Sequence, residues 1–159
     1  MGPRRLITLA LVSVLLLGAG AAPTSLESSI RQIQLTATVP DGFEVVYEAM
    51  HPLHGGTIIE IKGDGSAKRT SRHRASPEVQ IRHTRLSEPQ LLELVGLLLK
   101  LEAWEQRVPE RQPVPGEGKA TLNITLGPQK GGFWEWHNDL SKNDRLVQVA
   151  RMAKELVPE

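Results

Sequence analysis

Between Phe43 and Arg85 the chain alternates apolar and polar residues in short runs, joined by segments too short to hold a crossover helix. Parallel neighbours need a connection of a dozen or more residues, so these runs can pair only as antiparallel hairpins. After a Pro40-Asp41-Gly42 turn, "FEVVYEA" sets Phe43, Val45 and Tyr47 on one face at period two. "GTIIEIKGDGSAKRTS" does the same with Ile59 and Ile61, and its Asp64-Gly65 pair marks a hairpin whose primed turn needs positive φ at both central residues. "EVQIRHTRL" aligns Val79, Ile81 and His83, which predicts a partly buried His83 near the sheet edge. Upstream, "QLTATV" from Gln34 has the same β character and "PTSLESSIRQI" reads as a polar arm.

The most sharply bounded element follows. Ser87 is a good N-cap, Pro89 sits in the first turn where its missing N–H does no harm, and Gln90 completes a capping box. This predicts a helix to about Trp104 that buries Leu91, Leu94, Val95, Leu98 and Leu101. Leu92, Leu97 and Leu99 make it apolar beyond one stripe, so it should be covered on two sides. "RVPERQPVPGEG" is rich in Pro and Gly and predicts a long exposed loop over 107–118. "KATLNITLG" and "FWEWHN" then form a hairpin, with Leu122, Ile124 and Leu126 inward. Ser141 is placed to cap a last helix striped by Leu146, Val149, Ala150, Ala153 and Leu156. The fold class expected is α+β: a mainly antiparallel sheet of about five strands with two helices packed on one face.

At the amino end, "MGPRR" and the apolar run after it close on Ala19-Gly20-Ala21, the pattern of an export signal cleaved near Ala22. The organisation expected is a signal peptide over 1–21, an N-terminal arm over 22–34 and one α+β domain over 35–159, in an exported protein, periplasmic or secreted, with no membrane span after cleavage. Removing Arg4 and Arg5 leaves 17 basic against 18 acidic residues, moving the formal charge from +1 to −1. A nearly neutral domain gives no global electrostatic argument for nucleic acid. The chain has no cysteine, so its stability must come from the core.

The "GGTIIEIKGDGSA" hairpin, the "LSEPQLLELVGLLLKLEAWEQ" helix and the "ATLNITL" and "GGFWEW" strands before a closing helix resemble, in element order over residues 43 to 157, a group of small bacterial exported domains. The group includes the emfourin-like inhibitors of thermolysin-type metallopeptidases. That resemblance implies the fold and a noncatalytic, proteinase-inhibitor-like role in protein binding. Only Glu117 stands near the acidic position that often precedes the penultimate strand pair, and no inhibitory residue carries over.

Three constellations are candidates for chemistry. Lys68, Arg69, Arg72, Arg74, Arg82 and Arg85, with His73 and His83, face only Glu78 between residues 66 and 86. They form a polyanion patch if they share a sheet face, and protect an edge strand from aggregation if they do not. No aromatic residue is interleaved to stack on bases, so the partner expected is a protein or an envelope polyanion and not a nucleic acid. Trp134 and Trp136 share one face of their strand, and serve either as core or as a binding ledge. His51 and His54 precede a glycine pair in a turn, and with His137 they are the weak candidates for a metal or hydrolytic centre. No ligand spacing such as His-Glu-x-x-His and no Gly-x-Ser-x-Gly elbow accompanies them, so no cofactor is expected and the three histidines read as loop and strand-end residues.

Overall fold

The computed structural model describes residues 25–51, 53–74, 78–107, 111–112 and 114–159. The expected signal peptide lies outside the described residues. Six strands form one antiparallel sheet: β1 Phe43–His51, β2 Gly55–Lys62, β3 Ser66–His73, β4 Val79–Arg85, β5 Lys119–Leu126 and β6 Gln129–Trp136, in the order β4-β3-β2-β1-β5-β6. Three helices, α1 Leu26–Thr36, α2 Glu88–Lys100 and α3 Asp144–Leu156, accompany it, with a 3₁₀ segment over His137–Lys142. None of these helices is long and apolar enough to cross a membrane.

The core forms where the alternation predicts it. Phe43, Val45 and Tyr47 of β1, Ile59 and Ile61 of β2, and Leu122 and Ile124 of β5 are buried on one sheet face with Leu94 and Leu98 of α2 and Leu146 and Val149 of α3. At about 25 cal/mol per Å² of apolar surface, each such side chain contributes roughly 1.5–3 kcal/mol by leaving water. α2 is flanked by α1 and α3, which explains its broad apolar surface. Gln90 Oε1 accepts from the Ser87 N–H at 2.9 Å, as the capping pattern requires.

Four local expectations change. The arm is a helix: Leu26, Ile30 and Ile33 recur at helical spacing and are buried, and Ser25 and Ser28 cap each other's backbone. Leu35 and Thr36 therefore close α1, Ala37 turns left-handed at φ 50°, and this segment adds no strand. At the β2–β3 turn only Gly65 has positive φ, at 86°; the loop spans three residues, and Asp64 holds it by accepting from the Ser66 N–H at 2.8 Å. α2 ends at Lys100 because Glu102 turns left-handed at φ 49° and Arg145 takes the freed carbonyls, donating to Leu101 O at 2.8 Å, to Glu105 O at 3.1 Å and to Glu102 O. α3 is capped by Asn143, whose side chain accepts from the Leu146 N–H at 3.1 Å, while Ser141 lies in the 3₁₀ segment.

β4 is the edge strand that the helices do not reach. Val79 and Ile81 remain 54% and 55% exposed and His83 is exposed, so the expected burial of His83 does not occur. Register gives the reason: Arg69 is inward and pairs with Arg82, which places Gln80, Arg82 and Thr84 on the helix side and turns Val79, Ile81 and His83 to the open face.

Candidate functional site

The same register divides the basic stretch. Lys68, Arg72 and Arg85 belong to the open face, while Arg69 and Arg82 belong to the helix face, so no single cationic sheet surface forms. Lys68 pairs with Glu60 across β2 and β3. The tryptophans also take the open face. Leu122 and Phe133 are buried opposite each other, so Thr121 and Trp134, one position on, point the other way. Trp134 and Trp136 meet edge to face with centroids 5.0 Å apart, half-buried, and Lys119 Nζ lies 3.8 Å from one ring centroid and 4.7 Å from the other. They are a ledge and not part of the helix-side core.

The concave feature is on the helix face, where the helices stop short of the His51, Gly55 and His73 ends of β1, β2 and β3. A cleft of about 840 Å³ opens there, floored by Tyr47, Thr57, Arg69 and Ser71 and walled by the three weak metal candidates, the 114–117 loop and the segment after α3. His51 stacks on His54 with ring centroids 4.5 Å apart and meets His137 edge-on at 5.6 Å. The turn reading therefore holds for exposed His54, but His51 and His137 are half-buried walls of a cleft. Tertiary packing brings them together: β1 ends at His51, β6 delivers His137, and a Cβ on Gly118 would stand 3.0 Å from His137 Cδ2 and 3.6 Å from His51 Cδ2.

The three imidazoles meet through their rings. His51 Nδ1 accepts from the Leu53 N–H at 3.1 Å and the His54 N–H at 3.3 Å, which commits that lone pair to the turn. Among the described residues, no group of three or more His, Asp or Glu side chains is placed to hold a metal ion. His137 Nε2 is buried without a partner.

Glu117 fixes the loop wall. Its carboxylate is 1% exposed and accepts from Arg111 Nη1 at 2.8 Å and Nη2 at 2.6 Å, from the Val114 N–H at 3.1 Å and from the Asn138 N–H at 3.0 Å. The Arg111 hydrogen bonds, supported by the two main-chain donors, pull its pKa down to about 2. Arg111 also reaches Asp139 Oδ2 at 2.5 Å, and Asp139 is held below the ordinary carboxylate range by Lys142 first and Arg111 second. The Pro- and Gly-rich loop is thus tied to the body through its described residues.

Arg69 is the residue whose position most departs from a surface patch. It is 7% exposed, with Nε donating to Ser71 Oγ at 3.3 Å, Nη1 to Val157 O at 3.2 Å and Nη2 to Glu159 Oε1 at 2.5 Å. Ser71 Oγ and Thr57 Oγ1 lie 3.2 Å apart. Three cations of the cleft lining, Arg69, Arg74 and Lys154, stand against Glu117 and Glu159, while Arg72, whose side chain springs from the open face, donates to His51 O at 3.0 Å. No protein-family model matches the chain, and none of the curated proteins matches it.

Burial holds the His137 pKa below its ordinary value, as do His51 and, more weakly, His54; Glu117 opposes them. A histidine with a depressed folded pKa stabilises the fold fully above its unfolded pKa, near 6.5, and loses that contribution as pH falls from there towards the folded pKa. The melting temperature should therefore fall by a few degrees on acidification below about pH 6.5 and before the carboxylates titrate. His137→Gln should flatten this step. An unchanged step in the variant would mean that another group titrates.

Proposed function

We propose that the protein is a noncatalytic binding module that holds an anionic group in the cleft. The observation that carries this reading is Arg69, a guanidinium at the floor of a concave site, 7% exposed and already paired with one carboxylate, that of Glu159. A buried charge is expensive unless it is paired, and a site that keeps one on its floor is suited to an anion. The surroundings favour holding over cleaving. Ser71 Oγ faces Thr57 and Arg69 rather than an imidazole, and burial pushes the Tyr47 hydroxyl up to about 12, leaving it neutral. The alternative, a metal-dependent or hydrolytic enzyme using His51, His54 and His137, lacks both a ligand geometry and a nucleophile paired with a base among the described residues.

Calorimetric titration with acetate, citrate and inorganic phosphate at constant ionic strength tests the reading. Binding to the wild type that Arg69→Lys removes, without loss of fold, is the expected result, because lysine keeps the charge but not the fork. Equal binding by both proteins overturns it.

A second reading is favoured by the Trp134, Trp136 and Lys119 ledge on the uncovered sheet face. Half-buried tryptophans with a cation over them suit a protein interface, and proteinase-inhibitor-like docking would use such a surface. Inhibition of a thermolysin-type peptidase that the Trp134→Ala, Trp136→Ala double variant abolishes supports it; no inhibition by the wild type counts against it.

A further inference from the structure

We propose that the cleft receives the carboxylate of an acidic peptide segment, and that Glu159 occupies the position as an internal competitor. This rests on the reading of the cleft as an anion site and adds the ligand's chemistry. The fork of Arg69 already makes both contacts that such a peptide offers. One arm donates to the main-chain carbonyl of Val157 at 3.2 Å, and the other to the side-chain carboxylate of Glu159, two residues further on, at 2.5 Å. The third donor, Nε, is spent on Ser71 Oγ at 3.3 Å, which fixes the guanidinium plane from the sheet. Arg69 is thus oriented by the fold and satisfied by a short peptide stretch.

The two members of the ion pair differ in burial. The Arg69 side chain is 8% exposed and that of Glu159 is 59% exposed, so the cation belongs to the fold while the carboxylate reaches in from solvent. An exposed partner contributes little net stability, because it gives up hydration and side-chain freedom to make the pair. Exchanging it for another carboxylate is therefore close to neutral for the fold. Glu117, the other acid in the lining, is neutralised by Arg111 and does not compete for Arg69. The cations Arg74 and Lys154 at the cleft add attraction for a negative segment. A volume of about 840 Å³ leaves room for a peptide stretch and is far larger than a lone inorganic anion requires.

The probe is acetyl-Val-Pro-Glu-amide, which copies the internal occupant, with acetyl-Val-Pro-Gln-amide and inorganic phosphate as comparisons. Each is titrated into the full chain as wild type, Glu159→Gln and Arg69→Lys, followed by amide chemical shifts at Thr57, Ser71 and His137. Glu159→Gln should bind the Glu peptide roughly tenfold more tightly than wild type, since the competitor no longer holds the site. The Gln peptide should not bind, and Arg69→Lys should lose binding. Because Glu159→Gln loses the charge but keeps a side-chain oxygen that can accept from Arg69, that variant holds its fold even if Arg69→Lys does not fold. Equal affinity of wild type and Glu159→Gln, or of the Glu and Gln peptides, overturns the inference. Phosphate binding that Glu159→Gln fails to strengthen, with no peptide binding, retains the anion site and overturns the peptide carboxylate. Failure of every anion to bind overturns both.

Discussion

Replacing Glu117 with alanine is expected to lower the melting temperature by about 5–10 °C and to abolish anion binding in the cleft. The carboxylate is 1% exposed and gathers two Arg111 donors and the Val114 and Asn138 N–H groups. Its removal strands a guanidinium beside Asp139 and two main-chain donors, one in the loop before Glu117 and one in the 3₁₀ segment. Such groups resist desolvation, so the loop and the start of the 3₁₀ segment must part to let water in. Glu117→Gln should recover only part of the loss, because its NH₂ group faces a site where all the neighbours are donors. The pH dependence gives an independent check. A carboxylate whose folded pKa lies near 2, below its ordinary value of 4.5, stabilises the fold above 4.5 and loses that contribution as pH falls towards 2. The variant's melting temperature should therefore fall less steeply between pH 4.5 and 2 than that of the wild type. Parallel profiles would show that Glu117 does not carry this step.

The second large effect is expected at Gly132, in the middle of the β5–β6 pairing opposite Asn123. Its φ is 145°, and a Cβ there would stand 1.9 Å from Leu122 O and 2.9 Å from Leu122 C. Both contacts are with backbone, so no side-chain rotation relieves them. Gly132→Ala must push β6 away from β5, next to the buried Leu122 and Phe133 pair and two residue pairs from Trp134 of the ledge. A loss of about 3 kcal/mol or more in urea unfolding is expected, combining backbone strain with lost packing. The spectrum of Trp134 and Trp136 should shift with it. A loss below about 1 kcal/mol would show that the two strands can separate locally without disturbing the core.

Hairpin spacing and alternation made the sheet legible, and capping chemistry made α2 legible, because both rest on neighbours close in sequence. α1 was hidden by its polarity: only Leu26, Ile30 and Ile33 are apolar and buried, and they form a helix because β6 and α2 supply the surface that buries them. The tryptophans were ambiguous for a related reason. Period two divides a strand into two faces but does not say which is inside; the pairing of Phe133 with Leu122 decides that. The basic residues looked like one cluster in sequence, and register then sent Arg69 to the helix face and Arg72 to the other.

By itself, the sequence determined the α+β class, the antiparallel pairing, the stripes of α2 and α3 and the residue types available for binding. Those follow from local periodicity and from turns too short to allow anything else. Tertiary structure decided what those residues do. It placed His51 beside His137, residues 86 positions apart in the chain, buried Glu117 inside a loop that reads as solvent-exposed, and set Arg69 under a carboxylate 90 positions away. The physical reason is that burial and charge pairing depend on which surfaces meet. That is fixed only when the helices cover one sheet face and stop short of its end.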